Sequence, residues 1–371
     1  MRRFAAFEPP EYNVWERDDA AVREYRATLE RDRDRARMIG RLDNDALLDI
    51  YRGMARNRLT DIALKRMVRQ GVISKAWLGT GEEATTIGPV HALRRSGETR
   101  DAVAPMIRNG GACHEFGMPV ADMLRAYMGT SDGPSGGRDG HYGNLALGIL
   151  APISHVGDVV PVAAGIALSM RLRGSDSVVM TWIGDGSTKA GTAHEGLNFA
   201  AVQRVPAIFI IQNNQVALGT LLAQHHLAAG RGNFADWPTA YGMWGGVFDG
   251  NNVLDAYALA ALAVERCRVG DGPALLVAET FRMGGHATHD EAEARRTIPA
   301  EQFAEWGRRD PIALYEEYLV DSGIARETLA EVEDEVAREV EHAQSEALRS
   351  RDNAMPSGES ALLGVYVGDR N

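Results

Sequence analysis

Two apolar, β-branched runs a short distance apart, 178–183 (VVMTWI) and 207–211 (AIFII), constrain this chain more than any other feature. Each is a continuous hydrophobic run, as in a strand buried on both faces, and not the alternating pattern of a half-solvated one. Gly184-Asp185-Gly186 ends the first and Pro206 introduces the second, while Ala193, Leu197, Ala200 and Ala201 between them recur at helical spacing. The unit reads strand, helix, strand. Such a crossover makes the strands parallel, so Asp185 and Asn214 emerge at the same edge, the edge at which open α/β sheets bind ligands. A helix over 253–268 and a strand over 274–279, after Gly272-Pro273, continue the alternation. The expected fold class is α/β, a doubly wound, mostly parallel sheet with helices on both faces.

The rest of the chain is read around that core. Residues 1–43 are rich in Arg, Asp and Glu and form an N-terminal arm that needs another surface to hold it, such as a partner subunit. Asn44 is a plausible N-cap, and from Leu47 to Met67 apolar residues keep helical spacing until Gly71 supplies a stop. The glycine-rich stretch 129–148 is a long loop of the functional or mobile kind. Leu329, Val332, Val336 and Val340 form one stripe of an amphipathic C-terminal helix. The α/β domain is placed at 44–345 and a C-terminal tail at 346–371.

Composition excludes several classes. Hydrophobic residues make up 45% and charged residues 25%, the balance of a globular domain, and no apolar run of about 18 residues spans a bilayer. The net charge of −11 argues against nucleic-acid binding, which needs basic surface. Met1-Arg2-Arg3-Phe4 is followed by Glu8, Pro9 and Pro10 in place of an apolar signal region, so a cytoplasmic location is expected. Cys113 and Cys267 make no disulfide framework and lack zinc-ligand spacing.

Gly-Asp-Gly is an ordinary turn tripeptide elsewhere; here it follows a buried strand, and Asn213-Asn214 ends the next one. Magnesium takes hard oxygen ligands and commonly shares them with phosphate oxygens. Asp185 supplies a charge and Asn214 a neutral carbonyl, while the flanking glycines let backbone approach phosphates and the following helix offers free N–H groups. The pair therefore reads as a metal-diphosphate anchor. A dinucleotide Rossmann reading fails because no G-x-G-x-x-G follows the strand.

At these residues the chain resembles thiamine diphosphate enzymes. Gly184-Asp185-Gly186-Ser187, His194-Glu195-Gly196-Leu197-Asn198 and Ile208 to Asn214 are similar to the α subunit of the decarboxylating component of 2-oxoacid dehydrogenase complexes of the pyruvate and branched-chain type. Gly81-Glu82-Glu83-Ala84, Arg108-Asn109-Gly110-Gly111, Gly137-Arg138 and Phe281 to Asp290 agree in order. The resemblance implies that Asp185, the Asn214 side chain and the Val216 main-chain carbonyl hold magnesium. It also implies that Arg108 and Arg282 contact the diphosphate, that Gly184, Gly186 and Ser187 give backbone contacts, and that Ser154 and Val156 hold the rest of thiamine diphosphate. His286 is the implied acid/base or anion-holding residue. Ile107 and Val216 replace family tyrosines, His289 replaces a serine, and Ala287 stands where regulated relatives are phosphorylated. His225-His226 read as solvated surface. The implied partners are a small 2-oxoacid, a β subunit in an α2β2 heterotetramer that brings the activating glutamate, and a lipoyl domain that receives the acyl group. An acetoin dehydrogenase α subunit and a catalytically silent cofactor-binding paralogue share these motifs.

Overall fold

The structure, a computed structural model, describes residues 3–4, 12–13, 15–226 and 234–363. Five strands form the central sheet: β1 (Ala102–Ala104), β2 (Val179–Gly184), β3 (Ala207–Asn213), β4 (Trp244–Asp249) and β5 (Ala274–Glu279). Their order is β1-β2-β3-β5-β4, and every pairing is parallel. The expected strands thus form with ends shifted by one or two residues. Gly184 pairs with Gln212, and Asn213 with Glu279, so the three central strands end level with one another.

Helices cover both faces, which is why the strand runs are apolar without alternation. In chain order the main ones are α1 (Asp19–Glu30), α2 (Arg33–Ile39), α3 (Asn44–Arg69), α4 (Glu83–His91) and α5 (Val159–Leu172). After these come α6 (Gly191–Gln203), α7 (Val253–Arg268), α8 (Pro311–Asp321) and α9 (Arg326–Asn353). Val179, Ile183, Phe209 and Ile211 pack under α5 and α6, where Ala193, Leu197 and Ala200 are fully buried. Met180, Trp182, Ile208 and Ile210 face the other layer with Ala256, Leu259 and Ala263 of α7. Trp182 is fully buried and donates its indole N–H to the Thr85 carbonyl in α4 at 3.0 Å, tying sheet to helix layer. Truncating such a side chain costs about 3–5 kcal/mol.

The long helix α3 is unbroken, but its cap is Asp43 and not Asn44: the Asp43 carboxylate accepts from Ala46 N, and Asn44 is already helical. Gly71, at φ +71°, turns the chain out of it. The N-terminal segment also departs from expectation. From residue 15 onward it finds its surface within its own chain: Ala21, Val22, Tyr25 and Leu29 of α1 pack with Ile312, Tyr315 and Leu319 of α8. Arg35 of α2 pairs with Asp255 of α7 at 2.6 Å. Most of 1–14, and 364–371 of the expected tail, lie outside the described residues. Position 345 falls inside α9, because Ala343, Ala347 and Ser350 continue the buried stripe begun by Leu329, Val332, Val336 and Val340. Both cysteines are buried free thiols. Among the described residues no helix is long and apolar enough to cross a membrane.

Candidate active site

At the carboxyl edge of β2 and β3 a cleft of about 590 Å³ opens, and Arg108, Ser154, Val156, Gly184, Asp185, Gly186, Ser187, Asn214, Val216, Arg282 and His286 all line it. The sequence scatters these residues over nearly 180 positions; the level strand ends and the loops that leave them bring them together. Asp185 follows β2 directly and is buried. Burial raises its carboxyl pKa, opposed by His225 and the Gly186 N–H. Asn214, one residue beyond β3, donates its amide nitrogen to Glu82 Oε1 at 3.0 Å. That bond turns its carbonyl oxygen the other way, leaving Asn214 Oδ1 buried without a hydrogen-bond partner, while the buried Asp185 Oδ2 has His225 Nε2 at 3.3 Å. Two such oxygens, one charged and one neutral, are a donor set suited to a hard divalent cation.

Glu82 is the support behind this arrangement, a role the motif match alone did not show. Its Oε1 accepts from Gln212 at 2.6 Å as well as from Asn214, and burial raises its pKa against the pull of Arg108. Beyond Asn214 the chain makes a tight hairpin, Val216–Ala217 against Thr220–Leu221, with Gln215 and Leu218 at positive φ. Gly186 is required by this hairpin: a Cβ there would lie 2.6 Å from Ala217 Cβ. The turn after Asp185 is a 3₁₀ segment, Gly186–Lys189, and α6 starts only at Gly191. The expected helix N-terminus therefore stands one turn away from Asp185, and the 3₁₀ turn is what adjoins the cleft.

The opposite wall is cationic. Arg282 is 2% exposed and, among the described residues, donates to carbonyls: Val216 at 2.9 Å, Leu218 at 2.8 Å and Gly284 at 3.1 Å. Burial and the neighbouring Arg108 push its pKa down to about 10. Arg108 donates to the Leu78 carbonyl at 2.7 Å and the His286 carbonyl at 3.0 Å, with Glu82 Oε2 at 3.7 Å. Two buried guanidiniums repelling each other favour an anion between them. The same burial and the same two arginines hold His286 down at about 4, so its imidazole is neutral at pH 7. Ile107 presents an apolar side chain to the cleft in place of a hydroxyl, and exposed His289 does not line it.

Three features escaped the sequence reading. Ser154 Oγ bonds His141 Nε2 at 2.8 Å, and His141 Nδ1 lies 2.9 Å from Asp139, so the long glycine-rich loop delivers a histidine to the cleft mouth. A histidine inside a loop of that kind was the available signal. His225 is not solvated surface: its ring is 13% exposed and Nε2 sits 3.3 Å from Asp185 Oδ2, because the short helix Leu222–His225 folds back over the hairpin. Nothing in the local sequence announces that contact. Asp61 of α3 accepts from Gly79 N at 2.8 Å and Thr80 Oγ1 at 3.2 Å, fixing the loop whose Leu78 carbonyl receives Arg108. Burial, with Glu83 nearby, pushes the Asp61 carboxyl up to about 8.

An α/β fold whose strand ends set Asp185 and Asn214 opposite two buried arginines defines a class of protein with a ligand cleft suited to an anion and a cation together. Comparison with known proteins narrows this. The dehydrogenase E1 component profile matches residues 51–355. The α subunit of 2-oxoisovalerate dehydrogenase from Bacillus subtilis is 33% identical over 338 residues, covering 90% of this chain and 99% of that protein. The pyruvate dehydrogenase E1 α subunit of Bacillus cereus is 31% identical, covering 87% and 82%. The α subunit of acetoin:2,6-dichlorophenolindophenol oxidoreductase from Cupriavidus necator is 30% identical, covering 88% and 96%. The chain belongs to the dehydrogenase E1 component family, as a thiamine diphosphate-dependent oxidoreductase of the α-subunit type.

Proposed function

We propose that this chain is the α subunit of a 2-oxoacid dehydrogenase that holds the metal-diphosphate end of thiamine diphosphate and works with a β subunit in an α2β2 assembly. The observation that carries the reading is the pair of buried oxygens, Asp185 Oδ2 and the unpartnered Asn214 Oδ1, at a cleft whose other wall is Arg108 and Arg282. Asp185, Asn214 and the Val216 carbonyl would hold magnesium. The two arginines would hold the phosphoryl oxygens, with backbone contacts from Gly184, Gly186 and Ser187. Ser154, fixed by His141, and Val156 would hold the ring end.

When bound, thiamine diphosphate supplies the carbanion that adds to the keto carbon and stores the electrons as carbon dioxide leaves. His286 lacks the imidazolium proton at pH 7, so it serves as a neutral imidazole, accepting at one nitrogen and donating an N–H hydrogen bond from the other, until charge nearby changes. The acyl fragment would leave to a lipoyl group on an acyltransferase component. Among the described residues no carboxylate lines the cleft beside Ser154, Val156 and Ile153, Asp139 being held behind His141, which supports a second subunit completing the site. We place the enzyme in the cytoplasm.

Asp185→Ala tests the core of the proposal: metal-dependent binding of thiamine diphosphate, followed by calorimetry, is expected to vanish, and an unchanged affinity would refute the anchor. Carbon dioxide release from branched 2-oxoacids, pyruvate and acetoin with the cognate β subunit separates the substrates, and the chain by itself is expected to release none.

A further inference from the structure

At the mouth of the cleft three side chains form one hydrogen-bonded chain. Both carboxylate oxygens of Asp139 lie 2.9 Å from His141 Nδ1, and Asp139 Oδ1 also accepts from the His141 backbone N–H at 3.3 Å. On the far side of the ring, His141 Nε2 lies 2.8 Å from Ser154 Oγ. His141 and Ser154 both line the cleft. The loop that carries the first two is itself braced: Asp139 N donates to Ser135 Oγ at 3.3 Å, and the Arg138 guanidinium donates to the Ser360 and Leu363 carbonyls.

The direction of every bond in this chain follows from its first member. Partial burial works against the Asp139 carboxylate, but the hydrogen bonds it accepts from His141 outweigh that and hold its pKa below the ordinary value. Asp139 is therefore ionised at neutral pH and can only accept. His141 Nδ1 must carry a proton to donate to it, which in the neutral imidazole leaves Nε2 as a bare lone pair. An acceptor at Nε2 takes the single proton of the Ser154 hydroxyl. That hydroxyl, elsewhere free to donate or accept, then keeps only lone pairs for whatever occupies the cleft.

We propose that Asp139 and His141 are positioning residues that make Ser154 an obligate hydrogen-bond acceptor, so that the ring end of the cleft selects a heteroaromatic amine and rejects its oxo counterpart. This inference rests on the reading that Ser154 meets the ring end of thiamine diphosphate. It adds the direction of the bond: the ring's amino group donates and Ser154 accepts. An oxo group at the same carbon would set one acceptor against another. The Ser154 proton could turn to meet it only by breaking the bond to His141 and leaving Nε2 without a partner. A serine held merely in place would have no such bias, since its hydroxyl could rotate to serve either group.

Thiamine diphosphate and its oxo analogue, oxythiamine diphosphate, are titrated calorimetrically with magnesium into the complex of the full chain and its β subunit, at about pH 8 to stand above the ordinary histidine range. The wild type is expected to bind the amine about tenfold or more tighter than the oxo compound. His141→Phe keeps a ring in the loop but returns free rotation to the Ser154 hydroxyl, and the preference is expected to fall to about threefold or less. Asp139→Ala keeps His141 but releases its tautomer, with the same expected fall in preference; its exposed position makes it the milder change to the fold. Asp185→Ala is the control for the parent reading. A preference unchanged in His141→Phe and Asp139→Ala, or an equal loss of affinity for both compounds, would overturn the inference and, with binding abolished in Asp185→Ala, leave the anchor standing. Binding at wild-type affinity in Asp185→Ala would overturn the reading of the cleft itself.

Discussion

Asp61 offers a test of how burial shapes the support beneath the cleft. It is 6% exposed, accepts from Gly79 N and Thr80 Oγ1, and borders a chamber of about 10 Å³ shared with Arg108, roughly the room for one water. Its folded pKa of about 8 stands against 3.8 for an ordinary aspartate. Between those values the unfolded chain has released the proton and the folded chain keeps it. Stability contributed at this position therefore falls as pH rises from about 4 to about 8, at about 1.4 kcal/mol per pH unit. By pH 7 the cost reaches about 4 kcal/mol, lowered to about 2–3 kcal/mol by a water in the chamber. Asparagine has the shape of the protonated acid and keeps the oxygen that Gly79 and Thr80 need, but it has no proton to lose. Asp61→Asn is expected to match the wild type near pH 4.5 and to exceed it by about 2–3 kcal/mol near pH 7.5 in urea unfolding. Parallel stability-versus-pH curves for the two proteins, or a uniform loss in Asp61→Asn at every pH, would refute the reasoning.

Three further outcomes are expected. Arg282→Met should weaken binding of thiamine diphosphate by about 30- to 150-fold in calorimetry, the loss of one charge-assisted hydrogen bond of about 2–3 kcal/mol; a change under about threefold would remove Arg282 from the anion wall. Diphosphate bound between Arg108 and Arg282 should raise the His286 pKa from about 4, so at pH 5.5 wild-type binding should take up more protons than His286→Gln, seen by calorimetry in buffers of different ionisation enthalpy; equal uptake would place the charge elsewhere. Gly186→Ala should cost about 1–3 kcal/mol by displacing the Ala217 hairpin, and an unaltered denaturation midpoint would contradict the close approach.

The strand-helix-strand core was legible because its signals are local. Continuous apolar runs mark strands buried on both sides, and 178–183 and 207–211 became β2 and β3 within a residue or two. Gly184-Asp185-Gly186 and Asn213-Asn214 could be paired across the sheet from parallel topology alone. The N-cap of α3 slipped by one residue because Asp43 and Asn44 are both good caps, and side-chain direction decides between them. Residues 15–43 looked unattached because their charges are visible in sequence, whereas the apolar partners on α8 lie nearly 300 positions away.

By itself the sequence determined the three central strands, though not the edge strands β1 and β4, and the residue types that can hold an anion. Tertiary structure decided which groups orient them and which charges face one another: Glu82 turning Asn214, Asp139 and His141 behind Ser154, and His225 laid against Asp185. It also decided that His286 is neutral, since a pKa follows from burial and from arginines 178 and 4 positions away in sequence but adjacent in space. Periodicity records what a segment buries; it carries no record of which distant side chain that burial brings alongside.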